Sequence, residues 1–253
     1  GVDRGSIAWG DFDNDGDLDL AVSGQTIAGT TFLSRIYSND GNGVFTDLNA
    51  GLIPLTRSSL AWGDYDNDGR LDLLLTGGQV TSNGEGSVRL YHNNGDGTFT
   101  GLIDLFPCVR DAFVAWGDFT NDTRLDVAIL GRLLSQPVVS KLYRNNTVVD
   151  NTAPAGPGGL SASMDGAFVR FQWNPASDAQ TSVAGLYYNL RVGTTPGGNE
   201  VLSGLALSGG GRLVPAIGNA QQRTSWTLRK LSNGTYYWSV QAIDTAFAGS
   251  GLA

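Results

Sequence analysis

The chain has 253 residues, including 36 glycines, with 16% charged and 9% aromatic residues. This composition is typical of loop-rich all-β proteins and disfavours a helical bundle. The net charge of −8 argues against nucleic acid as a partner, and no apolar run reaches the roughly 20 residues that cross a bilayer.

The first distinctive element is an acidic stretch at residues 11–19, with aspartates at its first, third, fifth, seventh and ninth places. Convergent carboxylates repel one another unless a cation lies between them. Calcium accepts six to eight oxygens at about 2.3–2.6 Å and suits this spacing better than the smaller magnesium. Gly16 is expected to turn with positive φ. By analogy with EF-hand loops, Asp17 offers its carbonyl, although the EF-hand's Glu and flanking helices are missing.

The acidic stretch recurs at residues 64–72 and 118–126, and the three copies hold 12 of the 20 acids in residues 1–150. Arg70 replaces Asp17 in the second copy, which supports a carbonyl ligand at that place. The third copy has Thr120 for a carboxylate and Thr123 for the turn glycine. A β-branched residue is strained at positive φ, so we expect this copy to bind weakest or through added waters. The alternative is acidic surface turns without an ion.

Each acidic stretch follows a tryptophan, and Trp9, Trp62 and Trp116 lie 53 and 54 residues apart, which is the size of a supersecondary repeat. Near-continuous apolar strands at 18–23, 71–76 and 125–130 are predicted to be buried on both faces. A third strand ends in Tyr-x-Asn. In the first two periods, a turn then leads to a fourth strand carrying Phe45 or Phe99. Four antiparallel strands per period predict a propeller blade.

Residues 1–147 resemble the FG-GAP/VCBS repeat family, the calcium-loop propeller repeats of integrin α heads and many secreted bacterial proteins. The resemblance lies in the three Ala-Trp-Gly-Asp motifs with their acidic loops and in the Tyr-x-Asn turns. It implies blades at about 1–54, 55–107 and 108–149, with two strong Ca²⁺ sites and one weaker site on one rim. The ligands that it implies, with carbonyls at Asp17, Arg70 and Arg124, are Asp11, Asp13, Asp15, Asp17, Asp19, Asp64, Asp66, Asp68, Arg70, Asp72, Asp118, Asp122, Arg124 and Asp126.

Three periods do not close a propeller, which needs about 4–8 blades. The third period also lacks its fourth strand, and the chain opens in mid-pattern without a signal peptide. We therefore expect a processed or excised part of a longer precursor. Open sheet edges recruit strands, so a neighbouring chain is expected to complete the sheets, unless the chain is simply a fragment.

The Pro/Gly-rich linker at 150–159 predicts a domain boundary. Residues 160–253 hold short alternating runs that favour a β-sandwich and resemble a fibronectin type III domain. Trp173 on the second strand and the turn into Tyr236 carry that resemblance, and Tyr236, Trp238 and Val240 are predicted to face Trp173. Most of the seventh strand is expected to be missing. The predicted fold class is all-β: a partial three-bladed propeller, then this sandwich.

No catalytic or organic-cofactor site is predicted, because His92 is expected to be a surface turn residue and the single cysteine, Cys108, a buried apolar one. The clustered carboxylates are accounted for as ligands of a structural ion. We expect a secreted, extracellular, calcium-stabilised structural or adhesive module of a larger surface or filamentous assembly, with other protein chains as partners. One alternative is a lectin-like glycan-binding module that uses aromatics such as Tyr65, Phe119 or Tyr187. The other is a non-catalytic module of a larger secreted enzyme.

Overall fold

The computed structural model describes the whole chain except residues 27–30, 79–85, 103–104, 134–137, 208, 213 and 230. The described residues form strands, turns and loops without any helix, so none of them provides a long apolar helix that would cross a membrane. The chain divides into two compact units, residues 1–66 with 70–148 and residues 67–69 with 149–253. The all-β prediction is confirmed.

The N-terminal unit contains three antiparallel sheets, and each begins with the strand that carries an Ala-Trp-Gly motif. The first sheet has the order β1-β2-β3-β4, the second β5-β6-β7-β8, and the third β11-β10-β9. No sheet of the described residues closes on itself. The strands are β1 (Val2–Gly10), β2 (Asp19–Thr26), β3 (Phe32–Asn39), β4 (Phe45–Asp47), β5 (Thr56–Gly63), β6 (Asp72–Gly78), β7 (Gly86–Asn93), β8 (Phe99–Leu102), β9 (Arg110–Gly117), β10 (Asp126–Arg132) and β11 (Val138–Tyr143).

The first strands of the sheets lie next to one another, with β5 contacting both β1 and β9. The second sheet is therefore covered on two sides, and every residue of β6 is buried. The expectation of burial on both faces is correct for β6. It is wrong for parts of β2 and β10, where Val22 is half-buried and Leu130 exposed, because each of their sheets packs against one other sheet among the described residues.

The tryptophans explain how neighbouring sheets fit together. The indole of Trp62 packs on Gly10, and a Cβ added to Gly10 would lie 2.8 Å from the indole Cδ1. Trp116 packs on Gly63 with the same 2.8 Å separation. Trp62 and Trp116 are buried, but Trp9 is 47% exposed. Recurrence at one place in each repeat favours a core position for all three tryptophans, but Trp9 is exposed because the described residues place no sheet against the outer face of the first sheet.

Cys108 is also a correction. It was expected to be buried, but it is an exposed free thiol in the loop that precedes β9. The neighbouring Val109 is fully buried, so Val109 and not Cys108 is the buried apolar residue of this loop.

The C-terminal unit has five strands: β12 (Ser161–Asp165), β13 (Phe168–Gln172), β14 (Tyr187–Gly193), β15 (Ser225–Arg229) and β16 (Tyr237–Ile243). They form two antiparallel sheets, β12-β13-β15 and β14-β16. Trp173 and Val240 belong to one buried core, against which Tyr236 and Trp238 pack, as the alternation predicted.

The last residues of the chain run beside β16. Ala253 and Val240 exchange two backbone hydrogen bonds of 3.0 and 3.1 Å, and Ser250 donates to Ala242 at 2.9 Å. Tyr187, which was expected to be an exposed aromatic, is fully buried in β14. Every residue of β14 is buried, so the pleat leaves no open face for that ring.

Candidate metal sites in three acidic loops

The first acidic loop joins β1 to β2 and is wound around two buried carboxylates. Asp11 accepts hydrogen bonds from the backbone N–H groups of Asp15 (3.1 Å) and Gly16 (3.0 Å). Asp19 accepts from the backbone N–H of Phe12 at 3.0 Å. Asp11 and Asp19 are 1% and 0% exposed, so the loop holds two carboxyl groups away from water.

Two left-handed residues in each loop make this winding possible. Gly16 and Gly69 have φ values of 98° and 86°, which confirms the expected turn. Thr123 adopts φ 68° in the third loop, the strained conformation that the sequence predicted. The asparagine two residues earlier is also left-handed in each loop, a feature that the sequence reasoning missed although Asn tolerates this conformation. These residues are Asn14, Asn67 and Asn121.

Three carboxylates converge in the first loop. Asp11, Asp13 and Asp15 each place an oxygen within 4.8 Å of the others. The Asp17 side chain lies elsewhere, since a Cβ added to Gly41 would touch its carboxylate. Of the five aspartates predicted as ligands, three therefore bring their side chains together. Asp19 instead accepts a hydrogen bond from the backbone N–H of Phe12 in the same loop.

The second loop gathers Asp64, Asp66 and Asp72, again with oxygens within 4.8 Å of one another. Asp64 and Asp72 are almost completely buried. Asp66 Oδ1 is buried and has no hydrogen-bond partner among the described residues. Arg70 turns its side chain to the carbonyl of Asn93, with an Nε–O distance of 2.9 Å. Asp68 follows in the same loop.

The third loop repeats the winding but not the cluster. Asp118 accepts from the backbone N–H groups of Asp122 (3.1 Å) and Thr123 (2.9 Å), as Asp11 does in the first loop. Asp122, however, pairs with the guanidinium groups of Arg124 (2.6 Å) and Arg144 (3.0 Å). No cluster of three carboxylates forms there within the described part of the chain. Asp122 is thus held by two guanidinium groups instead of joining a carboxylate cluster.

An asparagine at the end of the third strand supports the last aspartate of every loop. Asn39, Asn93 and Asn145 each donate their backbone N–H to that carboxylate at 2.8–2.9 Å. Asn93 and Asn145 also donate their side-chain amides to the preceding sheet's loop, at Phe12 O (2.7 Å) and Tyr65 O (2.6 Å). Sequence reasoning used these residues as turn signals only, yet their recurrence in Tyr-x-Asn was visible.

Two stretches of the chain, residues 11–75 and 79–129, match the model of the FG-GAP-like repeat. The chain contains FG-GAP-like repeats. No curated protein matches it. Such repeats indicate a β-propeller-like module of the integrin type and are typical of extracellular or surface proteins. The matched residues include all three acidic loops.

Burial makes the first two acidic loops electrostatically unfavourable without a counter-charge. Desolvation, together with the charges of Asp19, Asp13 and Asp15, raises the pKa of Asp11 to about 8 against the hydrogen bond from Gly16. Desolvation likewise raises the pKa of Asp19 to about 7. A bound divalent cation would favour the ionised forms and offset this cost.

In the second acidic loop, desolvation raises the pKa of Asp72 to about 6. His92 also faces this loop, which corrects its interpretation as a surface turn residue. It is half-buried at the end of β7, with Nδ1 3.2 Å from Asp66 and 3.4 Å from Asp72. The pairing of β6 with β7 places it there.

These donors fit calcium, the ion that the family resemblance implies. The carboxylates of the two clusters offer only oxygens, as calcium prefers, although Asp66 also lies within 4.8 Å of Asp68 and of a nitrogen of His92. The partnerless Asp66 Oδ1 is a buried acceptor that a cation would satisfy. Asp11, Asp13 and Asp15 would hold one ion, and Asp64, Asp66 and Asp72 a second.

Proposed function

We propose that this chain is an extracellular, calcium-stabilised structural or adhesive module, built from three propeller blades and a fibronectin-III-like sandwich, and that it works within a larger assembly without catalysing a reaction. The observation that carries the calcium proposal is the convergence of Asp64, Asp66 and Asp72 around a buried carboxylate oxygen without a partner. The ion's role would be to lock the loop between two strands, adding folding free energy.

The sandwich proposal is supported by Tyr236, whose hydroxyl donates to the carbonyl of Ser232 at 3.0 Å. A tyrosine that bonds back to the backbone a few residues upstream is typical of immunoglobulin-like sandwiches. The core around Trp173 and Tyr188, whose rings lie 5.8 Å apart, agrees with the same fold.

Thermal unfolding in excess calcium and in chelator tests the calcium proposal. A site that binds only the folded state adds about 2.7 kcal/mol when calcium is 100 times its Kd, so we expect a clearly higher Tm with calcium. Equal Tm values in the two conditions would contradict the proposal.

Two variants make this test site-specific. Asp64→Asn should weaken calcium binding, because its carboxylate lies in the cluster. Asp17→Asn is the matched control: it removes a carboxylate that lies against Gly41, outside the cluster, and should leave calcium affinity nearly unchanged. Equal losses of affinity in both variants would mean that overall charge, not ligation, governs binding.

Glycan binding is the weaker candidate. Of its three aromatic platforms, Tyr187 is buried and Tyr65 packs edge-on against His92. Phe119 remains, at 49% exposed. A glycan array probed with calcium and with EDTA decides between the two: calcium-dependent binding to a defined sugar favours a lectin, and no binding favours a scaffold.

A further inference from the structure

We propose that the outer face of the first sheet, which carries Trp9 and Phe45, binds the outer face of the third sheet, which carries Gly117 and Phe119, of a second copy of this chain. The chains would then associate head to tail. The inference names the partner in the proposed assembly and rests on that part of the proposed function. It does not depend on bound calcium.

The two junctions inside the chain use one set of contacts. Trp62 lies on Gly10 and donates its indole N–H to the carbonyl of Ala8 at 3.2 Å. Trp116 lies on Gly63 and donates to the carbonyl of Ala61 at the same distance. Each sheet thus presents a tryptophan to the preceding sheet and a glycine with a nearby carbonyl to the following one.

Aromatic and amide contacts strengthen the first junction. Phe12 packs between Trp62 and Phe99, with centroid distances of 6.3 and 5.7 Å, and is only 2% exposed. The side chain of Asn93 donates to the carbonyl of Phe12 at 2.7 Å. The sheet that presents its glycine to a junction therefore also presents a phenylalanine. The ring of that phenylalanine packs on the aromatic side chains of the neighbouring sheet, and its carbonyl accepts a hydrogen bond from that sheet.

The first sheet carries an unused tryptophan half. Trp9 is 47% and Ile7 61% exposed, and the Trp9 indole N–H has no hydrogen-bond partner among the described residues. Phe45, the counterpart of Phe99, lies 6.1 Å from Trp9 and is 41% exposed. The side-chain amide of Asn39 reaches Leu18 within its own sheet, without the second contact that Asn93 makes to Phe12.

The third sheet carries an unused glycine half. A Cβ added to Gly117 meets nothing within 4 Å, whereas one added to Gly10 or Gly63 would clash with a tryptophan. Phe119, the counterpart of Phe12, is 49% exposed. One contact has no counterpart in the third sheet. Ser6 and Ser59 each accept a backbone hydrogen bond from the following sheet, but the equivalent residue of the third sheet is Phe113, whose ring is exposed.

The two unused halves are complementary and lie on the same chain. In a second copy, Trp9 would lie on Gly117 and donate to the carbonyl of Ala115, while Phe119 would pack against Trp9 and Phe45. Exposed large apolar side chains that gather on one face, as Trp9 and Phe45 do, mark an interaction site. Such a contact is heterologous, and it forms a ring if the rotation closes and a filament if it does not. Two copies would supply six sheets, within the range of about 4–8 blades in closed propellers.

Gly117→Val tests the contact without disturbing the separate chain. The added side chain enters open space in one copy but occupies the place of the Trp9 indole of the next copy. In sedimentation velocity, we expect the wild-type chain to self-associate with rising concentration and Gly117→Val to remain monomeric with an unchanged Tm. Val183→Ala, which alters an exposed residue of the C-terminal unit, should associate like the wild type.

Trp9→Ala supplies the complementary variant. It removes the tryptophan half and keeps the Gly117 half, so it should also be monomeric alone. Mixed in equal amounts, Trp9→Ala and Gly117→Val retain one intact half each and should form a dimer that grows no further. A wild-type chain that is monomeric at every concentration, or an oligomer that persists in both variants, would overturn the inference.

The same runs in calcium and in chelator separate this inference from the proposed function. A monomeric wild type whose Tm still depends on calcium would overturn the head-to-tail contact alone. The calcium proposal alone would be overturned if Gly117→Val abolished association while the wild-type Tm was the same in calcium and in chelator.

Discussion

The side-chain amide of Asn93 donates to the carbonyl oxygen of Phe12 at 2.7 Å, while its backbone N–H donates to Asp72 at 2.9 Å. One buried residue thus connects the acidic loop of the second sheet to that of the first. Because Phe12 in turn donates its own N–H to Asp19, the two loops share a continuous hydrogen-bond network.

Asn93→Ala should therefore destabilise the N-terminal unit strongly. It leaves the buried carbonyls of Phe12 and Leu71 without this donor, and each unsatisfied group costs about 1–3 kcal/mol. Asn39→Ala is the control. The Asn39 amide N–H donates to the carbonyl of Leu18 and to no other described residue, so this variant should lose less stability. Urea unfolding measures both. Equal losses would mean that the contact between sheets adds nothing.

The third loop predicts a calcium stoichiometry of two ions per chain. Asp122 is paired with Arg124 and Arg144, so two of the three negative charges of the loop are offset without a metal, and no cluster of three carboxylates forms among the described residues. The triple variant Thr120→Asp, Thr123→Gly and Arg144→Ser gives the third loop the residues of the first sheet at the equivalent places. Those residues are Asp13, Gly16 and Ser38. Isothermal titration should then report three ions.

Arg144→Ser alone is the control for that change, and it should leave the stoichiometry at two because the third loop still lacks its carboxylate at Thr120. A wild-type chain that binds three ions would show that the arginines do not replace the metal.

Local features of the fold were predictable from the sequence. The position of strand β6, the turn at Gly16 and the strained Thr123 follow from neighbouring residues alone, because apolar runs and φ preferences act locally. Contacts between distant residues were not predictable. Arg144 reaches Asp122 across 22 residues, and His92 meets Asp72 only because β6 pairs with β7.

Surface exposure was the least predictable property, because it depends on which elements lie alongside. Trp9, Trp62 and Trp116 stand in the same motif, yet Trp9 alone is exposed. A residue that recurs at one place in every repeat is buried only where another sheet packs against the side that carries it. The repeat pattern alone does not show where such a sheet lies.

Thr123→Gly should stabilise the N-terminal unit. Thr123 holds φ 68°, which a β-branched residue adopts at a cost of about 1–3 kcal/mol and glycine adopts freely. Glycine also adds unfolded-state entropy, so we expect a net gain of about 1 kcal/mol at most. Chemical denaturation in chelator measures it.

Thr46→Gly is the matched control for Thr123→Gly. Thr46 is exposed in β4 and is not among the left-handed residues, so its change should destabilise by about 0.5–1 kcal/mol. A loss of stability in both variants would mean that Thr123 is not strained.

The C-terminal unit should lose stability as pH rises through neutrality, because of Asp244. This carboxyl is completely buried, and desolvation raises its pKa to about 7 against hydrogen bonds from Asn151 and Ala248. Its charged neighbours are Arg212 and Asp178. A folded pKa above the unfolded one means that the folded state binds the extra proton, so this contribution is full below about pH 4 and is lost as pH rises to about 7.

Urea unfolding of the wild-type chain and Asp244→Asn at about pH 5 and about pH 8 measures this contribution. The wild type should be less stable at the higher pH by more than Asp244→Asn is, because the amide has no charge to bury. Asp165→Asn, an exposed aspartate in β12, should keep the wild-type pH dependence. A pH dependence that is the same in Asp244→Asn as in the wild type would assign it to other groups.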